Sequence, residues 1–330
     1  MKKLRIAIIG LGHVAQHHID AIASTPEIEL AGASDCDAEK SAILPSSIPF
    51  FNDAEKMLSS IQLDMVIVAV PNCAHEEMTR LVLSAGLDAV VEKPIASDLA
   101  TVEALFAYAD KCGSRLIPAL HAAYGKEVLW LESALAAGAL PELGPVTGFY
   151  CGFYDHYVVQ GEIISAAAGL GNSWIDSSIN ALSVIGRFIK PYRMRLLNLT
   201  TTPIARAEGR VIQGSGLYHL LADDRSVSGM GVVNTNWALG LNHKSTRLLF
   251  GKSGSEVFLD HSTQTVHLNH RDGGRRVLAN LDDGTHRLTT HYKGLFSGLI
   301  SDQNNCAIDS VHAYALHVLC LGKPSQGDSC

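Results

Sequence analysis

"LRIAIIGLGHVAQHHIDAIAST", Leu4 to Thr25, decides the fold. It opens with "LRIAIIG", a short apolar, β-branched run closed by a glycine. "HVAQHHIDAIAST" follows with apolar residues at helical spacing. Between them "GLGHVA", Gly10 to Ala15, fits the dinucleotide fingerprint G-x-G-x-x-G/A with alanine in the third place. In such a turn Gly10 permits the tight bend and Gly12 lets the backbone approach a pyrophosphate. Ala15 is small enough for the helix to pack on the strand. The helix N-terminus presents N–H groups to phosphate, so Gly10, Gly12, His13, Val14 and Ala15 are expected at a cofactor. A glycine-rich turn in an unrelated α/β protein is the competing explanation. The strand before and the helix after supply the context the motif needs.

The alternation continues outward. "IELAGASD", "DMVIVAVP", "LDAVVEKP" and "RLIPALH" read as strands, and "DMVIVAVP" is continuously apolar, as in strands buried on both faces. "HEEMTRLVLSAG" and "SDLATVEALFAYADKCG" read as helices, the second capped by Ser97 or Asp98. This order implies a doubly wound parallel sheet with helices on both faces, over residues 1–122. Asp35 lies 20 residues beyond Ala15, where the fingerprint places an acid on the adenosine ribose. A carboxylate there repels a 2′-phosphate, so NAD is expected in preference to NADP. The alternative is that Asp35 or Asp37 merely caps the next helix, and Asp37, before "AEKSA", suits that role.

After His121 the pattern changes. "GKEVLWLESALAAGAL" and "GNSWIDSSINALSVIGRF" read as helices, and "VTGFYCGFY" as a strand. From residue 192 short alternating runs separated by Gly, Asn and Asp turns imply an antiparallel sheet with one packed face. A helix over 294–321 is expected to close residues 123–330, an α+β domain. Composition restricts function. Hydrophobic residues make 47% and charged residues 18% of the chain, which suits a folded globular protein. The formal charge is −7 with no long basic run, so no nucleic-acid partner is expected. The seven cysteines form no C-x-x-C pair and read as reduced thiols of a cytoplasmic protein. The apolar run Ile6–Ile9 is too short for a signal core, and no run is long enough to span a bilayer, so no membrane association is expected. No H-E-x-x-H or similar spacing occurs, and no metal is expected.

"GLGHVAQHH", "DMVIVAVPNCAH" and, above all, "EKP" at Glu92–Pro94 resemble the glucose–fructose oxidoreductase/inositol dehydrogenase (Gfo/Idh/MocA) family. The resemblance covers the N-terminal half. It implies that Lys93 reaches the substrate hydroxyl beside the nicotinamide, and that Pro94 follows a cis bond; the alternative is a surface Glu–Lys pair. Ligands bind beyond the carboxyl ends of strands in such sheets, which sets Glu92, Lys93 and His121 on the cofactor side, where Val70, Pro71, Asn72 and His75 are expected too. The resemblance further implies a second domain with an open, mostly antiparallel sheet, and a homo-oligomer, dimer or tetramer. The family's D-x-x-x-H element reads D-S-S-I-N here, Asp176 to Asn180. "DSSINALSV" is similar to the corresponding element of galactose and arabinose 1-dehydrogenases, where the Asp and Asn contact the sugar. Asp176 and Asn180 share a helix face at i,i+4 spacing, and with Lys93 they form the expected catalytic set. Their alternative roles are a cap and an exposed polar position. Tyr154 and His156 in "YDHY" are candidate sugar contacts. The expected activity is an NAD-dependent dehydrogenase acting on a sugar or cyclitol hydroxyl. A keto-sugar reductase and a non-catalytic nucleotide sensor are the alternatives.

Overall fold

The structure, a computed structural model, describes residues 3–204, 209–301 and 308–324. The chain forms two compact units: Met1–His121 with Leu288–Tyr314, and Ala122–Arg287 with Ala315–Cys330.

The first unit alternates strand and helix. Its elements are β1 (Leu4–Ile9), α1 (Ala15–Ala23), β2 (Ile28–Ser34), β3 (Phe50–Phe51) and α2 (Ala54–Ser60). Then come β4 (Met65–Val68), α3 (His75–Ser84), β5 (Asp88–Glu92), α4 (Leu99–Cys112) and β6 (Leu116–Ala119). The six strands form one parallel sheet in the order β3-β2-β1-β4-β5-β6. All four residues of β4 are buried, because helices cover both faces of a parallel sheet. Asp98 caps α4 by accepting from Thr101 N at 2.9 Å, and Gly113 ends the helix with φ +67°. Asp37 caps a short 3₁₀ helix, Ala38–Ile43, through Glu39 N at 3.0 Å. The strand order reverses between β1 and β4, and their carboxyl ends form the ligand edge of such sheets.

The second unit contains α5 (Lys126–Ala136), β7 (Val146–Tyr154), the hairpin β8 (Val158–Val159) and β9 (Glu162–Ile163), and α6 (Ser173–Gly186). Seven strands follow: β10 (Met194–Pro203), β11 (Val211–Leu221), β12 (Val227–Asn236), β13 (His243–Phe250), β14 (Glu256–Asp260), β15 (Thr265–Asn269) and β16 (Arg275–Asn280). They join β7 in an eight-stranded sheet, order β10-β11-β12-β7-β13-β14-β15-β16. Its pairs are antiparallel except β12 with β7. Helix α6 covers one face and is buried on nearly every side. It comes close because β11 carries glycine beneath Trp174: a Cβ at Gly214 or Gly216 would lie 2.6 or 2.4 Å from the indole. The other face is open. Strand register aligns Leu217, Val232, Tyr150, Arg247, Phe258, His267 and Val277 in one row across it.

The expected closing helix, 294–321, is instead two helices, α7 (Arg287–Ser301) and α8 (Ser310–Leu321). Residues 302–307 of that expectation lie outside the described residues, as do Cys306 and Cys330. Asp309 interrupts the helical pattern, because its carboxylate accepts from His312 N at 2.7 Å and starts α8 afresh. Among the described residues no helix is long and apolar enough to cross a membrane.

Candidate active site

The glycine turn joins β1 to α1. Gly10 has φ +95°, and a Cβ there would stand 2.5 Å from Ala69 O, so only glycine fits between the ends of β1 and β4. A Cβ at Gly12 would meet nothing within 4 Å, which leaves its backbone open to a ligand. No side chain caps α1 and no acid stands in its first turn, so its N–H groups suit a phosphate. Gly12, His13 and Pro71 are exposed, Val14, Val70, Asn72 and Lys93 half-buried, and Ala15 buried. The exposed and half-buried residues line the carboxyl edge of the sheet.

Asp35 ends β2. Its Oδ2 accepts from Leu11 N at 2.7 Å, inside the glycine turn, and its Oδ1 from Asp37 N at 2.9 Å. Burial pushes this carboxyl up, but the N–H groups of Asp37 and Leu11, with Lys40 at 3.5 Å, hold it below the usual carboxylate range. It is therefore an anion at the end of β2 that also braces the turn.

At the end of β5 the Lys93–Pro94 bond is cis. The residues on either side of Lys93 are fastened inward. Glu92 Oε1 takes His18 Nε2 at 2.9 Å and the Tyr292 hydroxyl at 2.6 Å. Burial pushes the Glu92 carboxyl up, and His18, Tyr292 and the Lys93 charge outweigh it, so the group stays below its ordinary range. Glu92, expected on the cofactor side, is 6% exposed, and buried donors compensate its charge. His75 likewise turns inward. Its ring nitrogens lie 2.8 Å from Pro94 O and 2.9 Å from Val70 O, so it ties the two strand-end turns together. Burial holds it below the ordinary histidine value, against the pull of those carbonyls and Glu92. His121, also assigned to the cofactor by sequence, is enclosed with its Nδ1 3.2 Å from that of His291.

The second unit gathers polar groups on α6. Asp176 and Asn180 share a face and are buried, at 4% and 6% exposure. Asn180 Oδ1 is a buried acceptor with no hydrogen-bond partner. The helix cap is Asn172, through Ile175 N at 3.0 Å, which leaves Asp176 out of that role. Ser177 Oγ donates to Asp155 Oδ2 at 3.0 Å and lies 3.5 Å from Asp176 Oδ2. Lys244, at the start of β13, pairs with Asp155 Oδ1 at 2.5 Å and donates to Asn242 Oδ1 at 3.0 Å. Burial holds the Lys244 ammonium below its ordinary value in spite of Asp155 and Asp176, and Arg287 lowers it further. Burial, then Asp155 and Asp176, push the Tyr157 hydroxyl up.

Sequence reasoning missed Asp155 and Lys244. It chose the two neighbours of Asp155 instead. Tyr154 turns to the open face, where its hydroxyl lies 3.5 Å from that of Tyr150, because alternate strand residues face opposite ways. His156 is exposed. The available signal was a lysine at an inward position of β13, in register with Thr246, Leu248 and Phe250. Among the described residues no group of three His, Cys, Asp or Glu gathers as a metal site.

Residues 4–120 match the profile of the "Oxidoreductase family, NAD-binding Rossmann fold" (Gfo/Idh/MocA). These residues resemble the NAD-binding domain of that family. The chain's first unit is an NAD-binding Rossmann domain. The chain is 28% identical over 141 residues to the uncharacterized oxidoreductase YdgJ of Escherichia coli, covering 42% of this chain and 41% of that one. It is 29% identical over 120 residues to D-apiose dehydrogenase of Paraburkholderia graminis, covering 36% and 32%. The chain thus matches less than half the length of either relative. An NAD binding oxidoreductase from Klebsiella pneumoniae superposes with TM-score 0.79 over 96% of this chain and 95% of that one, at 17% identity. At that identity the likeness shows the fold alone, over both units.

Proposed function

We propose that the chain is an NAD-dependent dehydrogenase acting on a hydroxyl-bearing carbon of a sugar or sugar-like substrate. The observation that carries this reading is the setting of Lys93. Glu92 before it is fastened by His18 and Tyr292, and the carbonyl of Pro94 after it by His75. Lys93 alone of the three is half-buried, at the edge that carries the glycine turn. A lysine so held donates a hydrogen bond to a substrate hydroxyl and relays its proton. NAD, when bound, supplies the hydride acceptor. Asp35 supports NAD over NADP, because its carboxylate opposes a 2′-phosphate.

Asn180 cannot take a proton, and its buried Oδ1 suits a donor hydroxyl of the substrate. Asp176 supplies the carboxylate on the same helix face. A lactol hydroxyl loses its proton more readily than an ordinary alcohol, so an aldose oxidised at C1 suits a site without imidazole at position 180. The similarity to D-apiose dehydrogenase also favours a sugar. The exposed apolar side chains Tyr150, Met230, Leu249 and Val277 suit the open sheet face to a second copy of the chain. The function is tested by mixing protein and NAD with a panel of aldoses and cyclitols and following reduced nicotinamide. Turnover with an aldose is expected. NAD binding without turnover on any substrate, in either direction, would leave the reading unsupported.

A further inference from the structure

The second unit buries two carboxylates that share one hydroxyl. Ser177 Oγ lies 3.0 Å from Asp155 Oδ2 and 3.5 Å from Asp176 Oδ2. All three side chains are at least nine-tenths buried, with exposures of 6% for Asp155, 4% for Asp176 and 1% for Ser177. Two like charges in so dry a place repel, and one of them takes up a proton unless a cation stands by. Lys244 is that cation. It is 7% exposed, comes from a strand rather than from the helix, and pairs with Asp155 at 2.5 Å. Its length places an ammonium where a core position of β13 otherwise carries an apolar or hydroxyl group.

We propose that Lys244 is a positioning residue whose charge offsets the Asp155 carboxylate and so keeps the buried Asp176 carboxylate, held beside it through Ser177, ionised and fixed for the substrate hydroxyl. The proposal rests on the dehydrogenase reading and deepens it. Asn180, on the same face, cannot accept a proton, so the ionisation of Asp176 decides whether that face has an acceptor. The groups facing Asp176 act together. Asp155 opposes its charge. Lys244 and the N-terminus of α6 favour it, and Arg287, at the start of α7, acts on Lys244 and Tyr157 beside it. The Tyr157 hydroxyl stays protonated beside both acids. The influence of Asp176 on Lys244 is reciprocal by linkage, so removing the lysine must change the proton affinity of the acid.

The test is a pH–rate profile of the full chain with its best substrate, for wild type, Lys244→Arg, Lys244→Met, Asp155→Asn and the double variant Lys244→Met/Asp155→Asn. Lys244→Met is expected to move the acid limb of the profile upward by about one pH unit or more. Lys244→Arg should restore it. The double variant should return the limb toward wild type, because the competing carboxylate has gone with the cation. Asp155→Asn alone should move the limb downward. If Lys244→Met does not fold, the last two variants still decide the matter. Carboxyl ¹³C shifts of aspartate-labelled protein give the same titration without turnover. An inactive wild type with the expected ¹³C shifts would thus count against the dehydrogenase reading alone. Limbs and shifts that stay in place in every folded variant would overturn the proposal.

Discussion

Asp35 holds the glycine turn with the carboxylate that we propose sets the cofactor preference. Its oxygen on Leu11 N means that a change there loosens the turn as well as the proposed ribose contact. Asp35→Ser, with Cys36→Arg beside it, should shift preference from NAD toward NADP. A hydrogen bond to a charged group is worth about 1.5–3 kcal/mol, so NAD affinity should fall about 10- to 100-fold. Fluorescence titration with both nucleotides checks this, and tighter NADP binding by the wild type would refute it. Lys93→Met should lower turnover by about 10²–10⁴-fold while NAD binding survives. A loss below tenfold would remove Lys93 from its assigned role. Asn180→Ala should raise KM more than it lowers kcat, since an amide can hold a hydroxyl but take no proton. The places of Lys93 and Asp35 just beyond the ends of β5 and β2 were legible from sequence because a backbone motif marks each. Asp155 and Lys244 were not, because the partners lie 89 residues apart and neither sits in a motif.

The turn after β5 depends on elements that sequence reads singly. His18 on α1 and Tyr292 on α7 meet on Glu92, although Tyr292 is 200 residues away from it. Tyr292→Phe removes one donor from a buried carboxylate and should destabilise the protein by about 1–3 kcal/mol. The folded carboxyl lies below its ordinary value, so the stability it lends is present above the unfolded value and lost as pH falls through the folded one. The cost of Tyr292→Phe in urea melts should therefore be largest near neutral pH and shrink as the acid is titrated; a cost that grows on acidification would contradict the network. Helices were legible where local chemistry marks their ends, as with Asp98 and Gly113 around α4. The closing helix was misjudged because apolar spacing runs on past Asp309, whose role as a cap is weak in sequence alone.

Over the whole molecule, the alternation of strand and helix announced the parallel sheet, and short alternating runs announced the larger one. The parallel pair of β12 with β7 could not be read, because their pairing spans distant parts of the chain. Nor does any local signal mark the return of Leu288–Tyr314 to the first unit. The row of side chains across the open sheet, apolar except for Arg247 and His267, becomes visible only once register is known. If that face meets a second copy, Leu249→Glu with Tyr150→Glu should convert the oligomer to monomer in sedimentation with little effect on NAD binding; a wild type that sediments as a monomer would argue against the contact. The central claim is hydride transfer between a sugar carbon and the nicotinamide, and label transfer tests it most directly. Protein and NAD are incubated with sugars deuterated at every carbon, and the nicotinamide is examined by mass spectrometry. Reduced nicotinamide carrying the deuterium is the expected result; reduced nicotinamide without it, or none from any sugar despite bound NAD, would contradict the account.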